Sequence, residues 1–334
     1  MTNDKFPMTK ILDSRLRGND NLIVCGALAY DRIMDFPGKF SDHILAGKTH
    51  ILNLSFTVGG VKESFGGTGG NIAYSLALLG EKPKLMAVAG KDFGKYKKWL
   101  LKNKIDISGI KIVKTELMAS AYIMADQMDN QITAFYPGSK EGIKNNFLDS
   151  RLRGNDKTRV LAIIAPDIVA RMVKYAKIFR QFKVPYIFDP GQQVAYYSAK
   201  ELKDSIKNAI MLIGNDYEIQ LILNRLKIKL KQLEKMVKIL VITKGGKGSE
   251  IYSKNKKIIV PSAKKKVSVD TTGAGDAYRA GFIKGMALDW PLLKCARLAS
   301  AVAAYAVEKQ GTQNHRFTWP EVKRRYWENY GEKL

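Results

Sequence analysis

Cysteine is almost absent from the chain: among 334 residues only Cys25 and Cys295 occur, both in apolar surroundings and without CxxC spacing. That excludes a disulfide scaffold, argues against a structural metal and fits a reducing compartment. Long apolar runs are missing too. No segment approaches the length of a membrane helix, and the N-terminal stretch MTNDKFPMTKILDSRLRGND lacks the apolar core of a signal peptide. The cytoplasm is the expected location, with no membrane partner. Nor is there a Walker A loop, because neither FGGTGGN nor GGKGS carries the GK[ST] ending of P-loop chemistry. Acidic residues are scarce, 31 against 56 Lys and Arg, for a formal charge of +25. Such a charge suits a polyanion, so a nucleic-acid-binding or regulatory role is the rival to an enzyme. The lysines are nevertheless spread over helix faces such as GKYKKWLLKNK and KIKLKQLEKMVK, with no basic arm, which favours solvated surfaces over specific nucleic-acid contact.

What is present is a hydrophobic fraction of 46%, enough for one large α/β core without an evident linker. LIVCGALA, residues 22–29, reads as a buried strand ending in a turn that carries Asp31. From Phe36 to Val58 short alternating stretches suit a small β flap, and FGGTGGN then opens the helix IAYSLALLG. Strand LMAVAG, helix FGKYKKWLLKNK and strand IKIVK follow, after which ASAYIMAD and QITAFYPG form a hairpin that pairs with the flap. Tyr122 and Phe135 in that hairpin are candidates to face a ligand, packing within the hairpin being the plainer reading. VLAIIAP, DIVARMVKYAKIFRQF, PYIFDPG, a helix near Glu201–Asn208, IMLIGN and ILVITKGGKGS continue the β-then-α alternation of a parallel sheet, and helices at 292–308 and 319–330 close the chain. LDSRLRGND occurs twice, at 12–20 and 148–156, and reads as surface loop without a function.

Polar groups gather at the predicted strand ends: Asp189, Gln192 and Gln193 in FDPGQQ, Asn215 and Glu218 in NDYE, and Thr243, Gly245 and Gly248 spaced as TxGxxG. Asn215 with Glu218 is, on its own, a helix cap with its capping-box acid. The richest stretch is VDTTGAGDAYRAGF, Val269 to Phe282. Its glycines allow a tight turn into an amphipathic helix whose N-terminus attracts phosphate. Asp276 in that first turn is either a cap or a base that takes a proton from a hydroxyl attacking the phosphate.

Taken in order, FGGTGGNIAYSLALLG, NDYE, TKGGKG and above all DTTGAGD resemble the signatures of the PfkB, or ribokinase-like, family of carbohydrate and nucleoside kinases, from about Leu22 onward. AYDRIMDFPG, DNQITAFYPG, FDPGQQ and GDAYRAG together look most like its bacterial adenosine kinase branch. The resemblance implies a mostly parallel central sheet flanked by helices with a small β-sheet lid from roughly 32–64 and 115–138, after an N-terminal extension at 1–21 and around a surface insertion at 144–158. It implies an ATP- and Mg²⁺-dependent kinase, monomeric or homodimeric, acting on a nucleoside, most like adenosine, or on a sugar such as ribose or a fructose phosphate. Residue by residue, it makes Asp276 the base and Gly273, Ala274 and Gly275 the anion hole. Asp31, Gly67 and Asn71 hold sugar hydroxyls, while Ser55, Phe135, Gln192 and Gln193 line the nucleoside side. Thr243, Gly245 and Gly248 approach ATP, Asn215 and Glu218 organise Mg²⁺ through water, and Asp270 near Gly311 takes a monovalent cation such as K⁺. Ala121 stands where a second stacking aromatic is expected and Ala27 where a hydroxyl is expected; Arg279 has no role beyond phosphate contact.

Overall fold

The structure is a computed structural model that describes residues 21–44, 54–128, 130–143 and 160–334. Both LDSRLRGND copies lie outside the described residues, and with them the expected extension up to residue 20 and the insertion at 144–158. The N-terminal part runs through β1 (Asn21–Cys25), β2 (Ala29–Asp35), β3 (Gly60–Gly66), α1 (Thr68–Leu78), β4 (Lys84–Met86), β5 (Val88–Ala89), α2 (Gly94–Lys102), β6 (Lys111–Ile112), β7 (Ala119–Ala125) and β8 (Gln131–Tyr136). Next come β9 (Val160–Ile164), α3 (Val169–Gln181), β10 (Tyr186–Phe188), α4 (Ala199–Lys207), β11 (Met211–Asn215), α5 (Asp216–Leu226) and α6 (Leu230–Glu234). The C-terminal part holds β12 (Ile239–Thr243), β13 (Ser249–Ser253), β14 (Lys256–Val260), α7 (Ala274–Ala287), α8 (Leu292–Val307) and α9 (Trp319–Tyr330).

Successive residues of a strand face opposite sides, and the central strands are apolar at nearly every position, so the sheet must be covered on both faces. Leu22 and Val24 of β1 join the layer of α1, α7 and α8, while Ile23 and Cys25 join the layer of α3, α4 and α5. The sheet order is β14-β13-β12-β11-β10-β9-β1-β4. Every pairing from β4 to β12 is parallel, and β13 and β14 add an antiparallel edge. A second sheet, β3-β2-β7-β8, forms the lid.

The structure departs from the sequence pattern in three places. The run at 22–29 is two strands, because the chain leaves the core sheet after Cys25 and enters the lid at Ala29; Asp31 is therefore a lid residue. At that exit backbone meets backbone: a Cβ on Gly69 would lie 2.7 Å from the Gly26 carbonyl carbon, and the Gly69 amide donates to the Ala27 carbonyl at 3.0 Å. Apolar periodicity does not register such a crossing. The flap expected over Phe36–Val58 contributes no strand among its described residues; its strand is β3, and Phe40–Asp42 is a 3-10 turn. LMAVAG is split at Ala87, and only Lys111–Ile112 of IKIVK forms a strand. β4 alone joins the core sheet, because the Ala87 carbonyl turns to Lys111 and starts the separate β5–β6 pair.

Candidate active site

The carboxyl ends of the parallel strands form one rim, and the polar side chains of the site follow them, as in open α/β sheets generally. α7 begins at this rim from Gly273, whose φ of 80° a residue with a side chain adopts only with strain. The first-turn amides of Gly275 and Asp276 have no partner within a helix that starts there. The Ala274 amide turns back to the Thr271 carbonyl at 3.2 Å.

Asp276 Oδ2 accepts a hydrogen bond from Asn71 Nδ2 at 2.8 Å, which ties α7 to α1. Asn71 is held from behind, since its Oδ1 accepts from Gln313 Nε2 at 3.0 Å and Gln313 Oε1 accepts from Trp99 Nε1 at 2.9 Å. The chain Trp99–Gln313–Asn71 thus decides which end of the Asn71 amide faces the acid.

Two cavities meet at Asp276. The smaller, of about 350 Å³, is bounded by Ala27, Asp31, Gly67, Asn71, Ala119 and Phe135, with Asp167 and Arg171 in its wall. The larger, of about 1010 Å³, is bounded by Asn215, Glu218, Thr243, Gly245, Gly248, Lys264, Lys265 and Arg279. Thr68, Pro166, Gln193, Gly273 and Asp276 border both. Burial raises the Asp276 pKa to about 6 even though Arg279 and Asn71 favour its anion. Burial, reinforced by Asp270, also lifts Asp31 to about 6. Glu218 is raised by burial and by Asp189.

Asp31, Gly67, Asn71, Phe135 and Gln193 therefore come together around the smaller cavity. Gln192 falls instead in the larger cavity, one residue further round the same 3-10 turn. Ser55 borders neither cavity and is exposed in a stretch without strand structure. Tyr122 is turned to Arg32, whose guanidinium lies 5.3 Å from the ring centre and donates to the hydroxyl at 3.0 Å, whereas Phe135 reaches the cavity wall. Asn215 and Glu218 form a reciprocal capping box, both bonds 2.8 Å, that occupies Glu218 Oε2. Asp270 receives the Thr272 amide at 2.8 Å and the Gly311 amide at 2.9 Å, and so joins the segment before α7 to the loop at 311. Among the described residues no group of three His, Cys, Asp or Glu side chains is arranged to hold a metal ion.

Three features have no counterpart in the sequence reading. Gln313 supports Asn71; Arg171 and Asp167 form a buried pair in the smaller cavity's wall; and Arg279 is bound by Asp189. Gln313 and Arg279 meet partners distant in sequence, which no local signal marks, whereas Asp167 and Arg171 stand at i and i+4 in DIVARMVKYAKIFRQF, a spacing that could have marked the pair.

The pfkB family carbohydrate kinase model matches residues 32–319. The chain belongs to the pfkB family. Among relatives of this family, the nucleoside kinase of Methanocaldococcus jannaschii is 32% identical over 275 residues, 82% of this chain and 89% of that protein. The Burkholderia thailandensis nucleoside kinase in complex with inosine superposes with a TM-score of 0.81 at 30% identity, covering 94% of this chain and all of that one. The same enzyme in complex with ADP-inosine gives 0.78 at 32% identity, over 93% of this chain and 97% of that one. The pfkB fold accordingly extends over nearly all of the chain, lid sheet included. Among the described residues no helix is long and apolar enough to cross a membrane.

Proposed function

We propose that this pfkB-family chain is an ATP-dependent kinase that phosphorylates the 5′-hydroxyl of a purine nucleoside, with adenosine the first acceptor to test. The observation that carries the reading is the place of Asp276 on the shared wall of two unequal cavities, one sized for a nucleoside and one for a nucleotide. Asp31 and Asn71 at the inner wall of the smaller cavity offer a carboxylate and an amide for ribose hydroxyls, and Phe135 offers a flat face for a base. The acceptor hydroxyl then lies against Asp276. The carboxylate removes its proton as the oxygen attacks the γ-phosphorus in line, the bond from that phosphorus to the β–γ bridging oxygen breaks and ADP leaves, while the Gly275 and Asp276 amides and the dipole of α7 meet the charge on the phosphoryl oxygens. The glycine turn Thr243–Gly248 and the lysines of the larger cavity suit a triphosphate. Glu218 fits an outer-sphere contact to Mg²⁺, because its cap leaves Oε1 for a metal-bound water. The ion would supply positive charge against the triphosphate. Closure of β2, β3, β7 and β8 over the acceptor excludes water, so that Asp276 activates the sugar rather than promoting hydrolysis of ATP.

A phosphorylated sugar as acceptor fits less well. The cation in the wall of the smaller cavity, Arg171, is already neutralised by Asp167 through bonds of 2.8 and 2.5 Å. Incubating adenosine, inosine, guanosine, cytidine, ribose and fructose 1-phosphate each with Mg-ATP tests the reading. The expected result is nucleoside monophosphate from the purine nucleosides. Exclusive phosphorylation of a sugar, or salt-dependent nucleic-acid binding with no transfer to any acceptor, overturns it.

A further inference from the structure

Arg279 lies one helical turn beyond Asp276 on α7 and is buried, at 7% exposed. Its guanidinium makes a two-pronged pair with Asp189, the residue after β10: Nη2 donates to Oδ1 at 2.9 Å and Nε donates to Oδ2. Asp189 is more deeply buried, at 1% exposed. Such a pair adds little to stability against an apolar alternative, so its retention invites a reason in the chemistry. The guanidinium also presses on the turn into α7. A Cβ on Gly275 would come within 2.7 Å of Arg279 Nη1, and Gly275 is absent from the positive-φ glycines. A side chain at 275 would have to displace the guanidinium that Asp189 holds there.

Several charged and polar groups surround Asp276: Asn71 from α1, Tyr96 from α2, Asp189 after β10, Glu218 from α5 and Arg279 from α7. Lys264 and Lys265 lie along the cavity before α7. Arg279 pairs directly with Asp189 and is the cation whose charge also acts on Asp276 and Glu218. Without it, three carboxylates would face the position of the triphosphate from a poorly solvated floor, and two of them would act directly on Asp276.

Resting on the kinase reading above, we infer that Arg279 is a positioning residue for phosphoryl transfer: clamped by Asp189 beneath Gly275, it balances the charge of Asp276 and Glu218 and keeps the base ionised beside the incoming phosphate. The Asp189 clamp has two effects of opposite sign. It fixes the guanidinium in place, and its own negative charge offsets part of the benefit to Asp276.

The test is the pH dependence of kcat/KM for a purine nucleoside in Arg279→Met, Arg279→Lys, Asp189→Asn and the double variant Arg279→Met/Asp189→Asn. Loss of an adjacent opposite charge moves a carboxylate pKa by about one to three pH units. Arg279→Met is expected to move the acid limb upward by about that much and to lower kcat more than it raises KM. Arg279→Lys keeps the charge and leaves the limb near that of the wild type, whereas Asp189→Asn moves it down. The double variant, which leaves no lone buried charge, protects the test against misfolding of Arg279→Met; its limb is expected between those of the wild type and Arg279→Met. An unmoved limb in folded variants overturns the inference, since a merely structural pair alters stability and leaves the titration alone. A carbon-13 carboxyl titration of Asp276 reads the same shift without turnover. If the wild type phosphorylates no nucleoside, the functional reading fails by itself, and the carboxyl titration still decides the part given to Arg279.

Discussion

Replacing Asp276 by Asn is expected to make the protein nearly inactive and, at neutral pH, more stable. The rate effect follows from removing a general base, a loss of about 10² to 10⁴ in kcat, equivalent to about 3–5 kcal/mol of transition-state stabilisation. The stability effect follows from the surroundings of the carboxylate, which burial raises from 3.8 to about 6. Between those two pH values the native state binds more protons than the unfolded chain, so stability falls as pH rises through the interval. Above pH 6 the whole penalty is present. At about 1.4 kcal/mol per pH unit its ceiling is about 3 kcal/mol, and the open side of the cleft reduces the expected gain on neutralisation to about 1–3 kcal/mol. The Asn side chain still accepts the hydrogen bond from Asn71, so little is lost in exchange. Urea unfolding at pH 7 reads the gain, and repeating it toward pH 4 shows the gain disappear as the wild-type carboxyl becomes protonated in both states. ADP release with adenosine and Mg-ATP reads the rate. Near-wild-type turnover refutes the base, and a variant less stable than the wild type at pH 7 refutes the account of its burial.

Three further outcomes follow from the same geometry. Because Asp276 and Asp31 are both raised to about 6 and both act as anions, kcat/KM should fall below about pH 6 more steeply than one proton allows, and Asp31→Asn should reduce the slope to that of one proton while raising the nucleoside KM. Gln313→Leu frees the Asn71 amide and should lower kcat about tenfold, the worth of one hydrogen bond, with the nucleoside KM nearly unchanged; an equal rise in KM would mean that Asn71 acts on ground-state binding instead. Phe135, which is 58% exposed, gains its cover from a bound base, so Phe135→Ala should raise the nucleoside KM by about two- to tenfold and leave the KM for ATP unmoved.

The layers of the fold were legible because their signals are local. Buried strands end in turns that carry acids or glycines, helices follow them, and the two C-terminal helices fall at 292–307 and 319–330, within a residue of the ranges read from apolar spacing. The passage from β1 into β2 was not legible. The apolar run at 22–29 continues through the exit, and what marks it is backbone contact between Gly26 and Gly69, 43 positions apart in the sequence. Ser55 and Gln192 show the same limit on a smaller scale. A motif carries residues over as a set, but the start of a 3-10 turn leaves Gln193 bordering both cavities and Gln192 only the larger.

The support of the base was least legible of all. Asn71 and Gln313 are 242 positions apart, and Arg279 and Asp189 are 90 apart, so no window of the chain contains either contact. Gly275 shows how such contacts shape a motif that looks self-contained. Read alone, its glycine suits a tight phosphate-binding turn, yet the left-handed backbone belongs to Gly273, and the missing Cβ at Gly275 makes room for a guanidinium held from the end of β10. The backbone at 275 and the clamped guanidinium of Arg279 are therefore sterically coupled. Enlarging Gly275 to alanine should displace Arg279 and raise the acid limb of kcat/KM in the direction expected for Arg279→Met, even though no charge has been removed.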